Sequence, residues 1–426
     1  MNILIVGGGG REHALVWKLS QSKDVTKIYC APGNPGISEL AESVPIEAKE
    51  IRALLKFAKH NAIDFTVVGP EEPLILGIVD LFKKEGLKIF GPDSRASHLE
   101  GSKAFTKYLL RKHGIPTASF KVCETIDTAR SHINDFSLPC VLKADGIAAG
   151  KGVFVCETLD QAGEAIDLIM KQKKYGSAGD LVVIEEFLRG EEASMLALTD
   201  GQTIAMLPSS QDHKPIFDDD KGPNTGGMGA YSPAPVVDDK IYDLVERDVL
   251  LATVHAMNME ERPYNGVLYA GLMIDEEGPR VLEYNCRFGD PETQPIMMRL
   301  KSDLLPVLIA CADGNLDSVD MEWDDRSAVC VVIASGGYPG SYPKGLPISG
   351  LDEVKKLPDV QVFHAGTAMK DSEVVTAGGR VLGVTALGDT HQEAVARAYE
   401  AVKLIDFEGA HYRSDIGARA LTHLES

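Results

Sequence analysis

The chain has 426 residues, 44% apolar and 25% charged, an ordinary globular composition with length for roughly two to four domains and a sizeable core. A net charge of −20 leaves no basic excess to displace counterions, which argues against a broad nucleic-acid surface but leaves small anionic ligands open to local clusters. Seven scattered cysteines without a C-x-x-C pair fit a reduced cytoplasmic protein better than a disulfide framework or zinc site; no apolar run is long enough for a bilayer, and no signal peptide is evident.

Residues 3–6, Ile-Leu-Ile-Val, read as a buried strand. Gly7-Gly8-Gly9-Gly10 follows, and Arg11-Glu12-His13 opens a helix. Strand, glycine turn and helix N-terminus make an anion site from backbone N–H groups and the helix dipole. The dinucleotide fingerprint is incomplete: Glu12 stands at the third glycine position, and the strand at 27–31 ends without an acid for a ribose. A smaller phosphate-bearing ligand is expected rather than NAD. Strands at 64–68 and 88–90 alternate with helices and imply a parallel sheet, with ligands at the strand C-terminal ends. Glu71 lies at such an end, as a binding acid or as a solvated loop residue.

Residues 101–112 read as an amphipathic helix and 139–144 as a strand. Lys143 interrupts that apolar strand, and a charge there needs a partner. Residues 145–153 form a glycine loop with Lys151 at its tip, either a flap over a polyphosphate or a solvated hairpin. It is not a Walker A loop, because Gly152 follows Lys151. Strands are expected at 153–156, 180–189 and 191–198, a helix at 159–173, and a hairpin turn at Asp200-Gly201 into residues 202–207. His213 alone could equally be a surface histidine. The long glycine-rich run at 218–229 is a candidate mobile lid. A helix at 241–259 and a strand at 266–274 follow.

The chemistry concentrates in residues 281–295. Its first half reads as a strand, whose side chains alternate faces. Glu283, Asn285 and Arg287 share one face; Leu282, Tyr284 and Cys286 share the other. A carboxylate and an amide oxygen two residues apart offer hard ligands to Mg²⁺, and the arginine can grip a phosphate or carboxylate. Gly289-Asp290-Pro291 turns the chain and presents another acid. Trp323-Asp324-Asp325-Arg326 marks a domain boundary. Beyond it lie strands at 328–334 and 380–386, glycine turns at 335–340 and 378–379, and a helix at 391–404.

In this order the chain resembles the ATP-grasp ligases and, within them, the phosphoribosylamine–glycine ligase family, over its whole length. The resemblance rests on Gly8-Gly-Gly-Arg-Glu-His-Ala14, Val68-Gly-Pro-Glu71, Leu99-Glu-Gly-Ser-Lys-Ala-Phe105 and Lys143-Ala-Asp-Gly-Ile-Ala-Ala-Gly-Lys-Gly152. Glu185-Glu-Phe-Leu188, Ser210-Gln-Asp-His-Lys214, Gly222-Pro-Asn-Thr-Gly-Gly-Met-Gly-Ala-Tyr-Ser-Pro233 and Arg287-Phe-Gly-Asp-Pro-Glu292 complete it. It implies an α/β and α+β multidomain chain. Residues 1–100 would form an N-terminal parallel-sheet, Rossmann-like substrate domain. Residues 101–190 would be a first ATP-grasp part with the flap, 191–325 a second part with the metal site, and 326–426 a small C-terminal α+β domain.

The implied activity is ATP-dependent ligation of glycine to 5-phosphoribosylamine through glycyl phosphate, in de novo purine biosynthesis. Lys103 and Lys143 would contact ATP phosphates, with Lys151 in the flap. Glu185, Glu186, Phe187 and Leu188 would hold adenine, and Glu192 the ribose. Glu283 and Asn285 would bind Mg²⁺ or Mn²⁺, and Arg287, Asp290 and Lys143 would act in catalysis. Gly10, Arg11, Glu71, Asp290 and Arg380 would surround the ribosyl substrate. Where many members carry a further metal-binding carboxylate on the preceding strand, this chain has Ala270-Gly271. The expected partners are small molecules, without nucleic acid or membrane, and the expected state is a monomer. Rival readings are another ATP-grasp enzyme of purine synthesis, an NAD-linked oxidoreductase, and a non-catalytic nucleotide-binding module. The incomplete glycine fingerprint opposes the second, and the Lys143, Glu283 and Asn285 set opposes the third.

Overall fold

A computed structural model describes residues 1–146 and 152–425. At the N-terminus five strands run parallel, with Asn2–Gly7 at the centre. Lys27–Pro32 and Glu42–Ser43 lie on one side, Phe65–Val68 and Ile89–Phe90 on the other. The order reverses at Asn2–Gly7, which places the ligand crevice beyond Gly7. Ile3, Leu4, Ile5 and Val6 are all fully buried, because both faces of this sheet are covered. Leu4 and Val6 join one core cluster, Ile3 and Ile5 another.

Two antiparallel sheets follow. The first runs Phe120–Cys123, Val182–Glu186, Cys140–Ala144, Val153–Cys156. The second runs Ile204–Met206, Glu191–Thr199, Gly266–Asp275, Gly278–Asn285. Between them stands the helix Lys103–His113. Ser102 caps its start, accepting from Phe105 N–H at 3.1 Å, and Gly114 ends it at φ 69°, a left-handed turn suited to glycine. The expected helix at 159–173 is an α-helix to Ile166 and then a wider π-turn, Asp167–Lys171. That at 241–259 likewise carries a π-segment, Val245–Leu251, between Asp239–Leu244 and Ala252–Met259.

One sequence expectation fails at Leu282. Gly271 pairs with Glu283, but Leu272 pairs with Val281, so Leu282 is the extra residue of a β-bulge. Alternation breaks there. Leu282 packs against Ala118, Leu188 and Met273, whereas Val281, Tyr284 and Cys286 enter the main core.

The last five-stranded sheet runs Gln211–Asp212, Gly229–Ser232, Ser327–Ala334, Arg380–Gly388, Val360–His364. It draws strands from both sides of Trp323. Residues 218–229, expected to be a mobile lid, are tethered to the C-terminal part of the chain. Ser414 N–H donates to Asp218 at 2.8 Å, Arg413 meets Asp220 at 3.0 Å, and Arg380 donates to the Gly226 carbonyl at 2.7 Å. His213 is 1% exposed, so it is a core residue and not a surface one. All seven cysteines are free and buried, and among the described residues no helix is long and apolar enough to cross a membrane.

Candidate functional site

Lys143 finds the partner its apolar strand demanded. Its neighbour strand carries Glu185, and the ammonium lies 3.0 Å from Glu185 Oε2 while also donating to the Leu282 carbonyl at 3.1 Å. The bulge at Leu282 presents that carbonyl. Lys107 reaches the same Glu185 oxygen at 2.8 Å. Burial pulls Lys107 down to about 8, Glu185 opposing and Lys143 adding to the fall. Two buried ammoniums against one carboxylate leave a positive excess suited to an anion. Sequence reading missed Lys107; its only signal was its place one helical turn beyond Lys103. Lys103 donates to the Gly146 carbonyl at 3.0 Å, and Asp145 accepts from Ala104 N–H at 2.9 Å, fixing the base of the glycine loop on the helix start. Lys151 lies outside the described residues.

Among the expected adenine contacts, Glu185 spends its side chain on the lysines. Glu186 accepts from Ser119 N–H at 2.8 Å, Arg189 lies over the Phe187 ring, and Leu188 is buried against Ala118 and Met273. Glu192 accepts from Lys214 at 2.6 Å. Both line a cleft of about 270 Å³ with Asp212, Asn224, Met273 and Arg419. Lys214 is raised well above its usual range: burial works against the charge, but Glu192, Asp212 and Glu283 outweigh it. Lys214 stands in the Ser210–Lys214 motif without a role, and its local sequence does not show that Glu192 and Glu283 gather around it.

Glu283 and Asn285 lie on Gly278–Asn285, which pairs with Gly266–Asp275, the neighbour of the Glu192 strand. Burial opposes ionisation of Glu283, yet Lys214, Lys143, Lys103 and Arg287 together hold it below the usual carboxylate range. Asn285 Oδ1 accepts from Arg287 Nη2 at 3.0 Å. Arg287 also meets Glu71 at 3.3 Å and Glu100 at 3.4 Å. Burial lifts Glu100 to about 7; Arg287 pulls it down and Glu71 pushes it up. Glu71 itself is lowered: burial resists, while Arg287 and Arg11 prevail. The strand-end acid Glu71 thus meets Arg287, while the helix-start Arg11 donates to the neighbouring Phe288 carbonyl at 3.2 Å.

Asp290 closes this group. Gln294 donates to it at 2.9 Å, Arg380 Nη2 lies at 3.5 Å, and Arg380 Nη1 donates to its carbonyl at 2.5 Å. Burial opposes its charge, but Arg380 and Arg11 lower it. Gly10 is required for this approach, since a Cβ there would meet Gln294 Nε2 at 2.6 Å and Asp290 Oδ1 at 3.5 Å. Part of the anion capacity expected of the helix N-terminus is met from within: Gly9 N–H donates to Glu12 at 2.7 Å, and Asp290 bonds the Arg11 backbone.

A parallel-sheet domain joined to two antiparallel sheets that clasp a cleft of lysines and carboxylates defines an ATP-grasp ligase. Residues 1–100 match the family model for the phosphoribosylglycinamide synthetase N domain, 101–293 its ATP-grasp (A) domain, and 328–419 its C domain. The chain belongs to the phosphoribosylglycinamide synthetase family. It is 53% identical to the phosphoribosylamine–glycine ligase of Vibrio vulnificus (strain CMCP6) over 99% of both chains. It is 50% identical to that of Caldanaerobacter subterraneus subsp. tengcongensis, over 98% of this chain and 100% of the relative. The crystal structure of the Thermotoga maritima phosphoribosylamine–glycine ligase superposes with TM-score 0.83 at 34% identity, covering 98% of this chain and 100% of that one. The biotin carboxylase domain of Hydrogenobacter thermophilus 2-oxoglutarate carboxylase, in complex with MgADP, shares the fold alone, with TM-score 0.74 at 14% identity over 96% and 91% of the two chains.

Proposed function

We propose that this chain joins glycine to 5-phosphoribosylamine, giving glycinamide ribonucleotide, ADP and phosphate in de novo purine biosynthesis. The observation that carries the reading is Glu283, ionised among Lys103, Lys143, Lys214 and Arg287. That cluster suits a polyphosphate on one side and a carboxylate substrate on the other. A glycine carboxylate is a poor electrophile. Attack of its oxygen on the γ-phosphorus, with cleavage to ADP, makes glycyl phosphate. The ribosylamine nitrogen then attacks the acyl carbon, phosphate leaves, and the nitrogen gives up a proton.

Lys103, Lys143 and Lys151 neutralise phosphate charge. The backbone from Glu185 through Glu186 and Phe187 to Leu188 receives adenine, and Glu192 the ribose. Gly10, Arg11, Glu71 and Arg380 surround the ribosyl substrate, Asp290 orients its amine, and Arg287 steadies the transferring group. Glu283 and Asn285 fit Mg²⁺ or Mn²⁺, being an ionised carboxylate and an amide oxygen. Among the described residues no group of three His, Cys, Asp or Glu is placed to hold a metal ion, so Glu283 and Asn285 are the residues that would hold it. Bound there, the metal supplies positive charge to the phosphates. The flap at 145–152 and the loop at 222–229 exclude water from the acyl phosphate. Residues 1–100, 101–190, 191–325 and 326–426 serve as the substrate, first ATP-grasp, second ATP-grasp and C-terminal units. On this reading the chain works as a cytoplasmic monomer on small molecules, without nucleic acid. A coupled ADP-release assay with phosphoribosylamine tests the reading: release depends on added glycine, and glycine-independent release would reassign the substrate.

A further inference from the structure

Asp212 has no task in the chemistry above. It sits on the two-residue strand Gln211–Asp212, hydrogen-bonded along Gly229–Ser232, and is 8% exposed. Neighbours hold that strand firmly: Gln211 Nε2 donates to the Glu192 carbonyl at 2.6 Å, and Ser210 bonds the Ser194 backbone in both directions. The carboxylate lines the cleft beside Glu192 and Lys214. Among the described residues no hydrogen bond or ion pair reaches its oxygens, and Lys214, two residues on, gives its close contact to Glu192 instead. The charged groups acting on Asp212 are Lys214, Glu292, Glu192 and Glu283, three carboxylates to one ammonium; burial first, and then those acids, lift it to about 7. A nearly buried carboxylate without a donor, in acid-rich surroundings, is an unmet demand for a cation.

The other acids around the site already face a positive or donating group. Glu185 meets two lysines, Glu192 meets Lys214, Glu71 and Glu100 meet Arg287, and Asp290 meets Arg380. Glu292 accepts from the Tyr269 hydroxyl at 2.6 Å, and Glu283 has three lysines around it. Glycine brings a cation of its own. Its carboxylate must be aimed at phosphorus, and its ammonium must be held somewhere that rejects carboxylates without an amine. We propose that Asp212 receives the α-ammonium of glycine and so selects the carboxylate substrate. This rests on the glycine-ligating function proposed above.

The test uses the full chain and the near-isosteric Asp212→Asn, with Asp212→Glu as a charge-retaining control. Loss of a charge-assisted hydrogen bond raises the glycine KM of D212N by roughly ten- to a hundredfold. The KM for ATP and the Mg²⁺ titration stay like the parent's, and they also report that the variant is folded. Inhibition by glycolate, which lacks the ammonium, is unchanged, so the preference for glycine over glycolate collapses by the same factor. D212E recovers part of the glycine affinity. An unchanged glycine KM in D212N overturns the proposal, as does a shift confined to ATP or Mg²⁺, which would make Asp212 a nucleotide or metal contact. Should the parent release no glycine-dependent ADP, the parent reading fails instead, and the variants are not needed to say so.

Discussion

The ammonium of Lys143 lies 3.0 Å from the Glu185 carboxylate, between two strands and almost out of reach of solvent. Lys107 holds the same oxygen. Removing Lys143 therefore leaves Glu185 paired, and the strand loses an ammonium rather than gaining an orphaned acid. Lys143→Met should fold, with turnover reduced by roughly a hundredfold and ATP affinity lowered, because phosphate charge in a desolvated cleft loses a fixed counter-charge. ADP release and nucleotide titration check this. Near-normal values in the folded variant would remove Lys143 from the site.

The second prediction separates the two oxygen donors of the last strand. Glu283→Ala removes an ionised carboxylate that four cations keep charged, and, if it holds the metal as proposed, turnover should fall severely even at saturating ATP. Asn285→Asp keeps an oxygen and should be milder, its added charge drawn toward Arg287, which already donates to that position at 3.0 Å. The readout is the Mg²⁺ dependence of ADP release; two parent-like titrations would place the metal elsewhere.

These positions were legible because period-two alternation and residue chemistry act locally. Lys143 announced itself as a charge in an apolar strand, and Glu283, Asn285 and Arg287 as polar residues in alternation. Leu282 was misplaced for a reason that alternation cannot carry: a bulge depends on the partner strand, and Gly271 and Leu272 set it from across the sheet. Lys107 escaped because its importance comes from burial beside Glu185, and Lys214 because Glu192 and Glu283 reach it from other strands. The loop at 218–229 read as a lid because glycine content reports freedom of the isolated chain. Its tethers, Arg380, Arg413 and Ser414, lie more than a hundred residues away.

Those tethers give a third prediction. Arg413 is 1% exposed and pairs with Asp220 at 3.0 Å and Asp415 at 2.6 Å, while donating to the Pro215 carbonyl at 3.1 Å. Arg413→Ala leaves both acids without their buried partner and should cost about 2 kcal/mol, below the figure for fully buried pairs because the acids are partly solvated. The loop should become a site of early proteolytic cleavage, and ATP hydrolysis without ribosylamine should rise as water enters. Limited proteolysis and uncoupled ADP release measure the two effects, and a parent-like cleavage pattern would show that Arg413 does not hold the loop.

Acid should loosen the joint between the N-terminal and C-terminal sheets. His13 Nδ1 accepts from His364 N–H at 2.8 Å, and a Cβ on Gly36 would lie 2.4 Å from one ring and 2.5 Å from the other. Burial, with mutual repulsion and Lys355 adding, lowers His13 to about 3; burial likewise lowers His364 to about 4, where Glu39 opposes. The unfolded chain titrates these groups near 6.5, so between that value and the folded ones it binds more protons than the fold. Their stability contribution is full above pH 6.5 and falls as pH drops toward 4, by up to about 1.4 kcal/mol per unit for each group. Glu100 and Asp212, raised by burial, act in the opposite sense, so the comparison must be differential. His364→Gln should lose less Tm than the parent between pH 7 and pH 5. Parallel Tm profiles would show that His364 does not titrate on unfolding.

The last prediction concerns the path of an oxygen atom. An amine does not displace oxygen from a carboxylate at neutral pH, and the proposed function therefore routes the reaction through phosphoryl transfer to the glycine carboxylate. If the glycine oxygen attacks phosphorus first, that oxygen bridges carbon and phosphorus in the intermediate. Attack by the ribosylamine nitrogen then breaks the carbon–oxygen bond, and the oxygen departs with phosphate. Glycine labelled with ¹⁸O in its carboxylate should therefore place one labelled oxygen in each phosphate released and leave one in the amide carbonyl of the product. Mass spectrometry of both products reads this directly, and Asp290→Asn offers an internal check. If Asp290 orients the amine as proposed, that variant should let the acyl phosphate hydrolyse more often before capture. Water attack at carbon again sends the labelled oxygen out with phosphate, while glycine is recovered with one solvent oxygen in place of label. Unlabelled phosphate alongside glycinamide ribonucleotide would mean that no acyl phosphate forms and that the amine reaches carbon by another route.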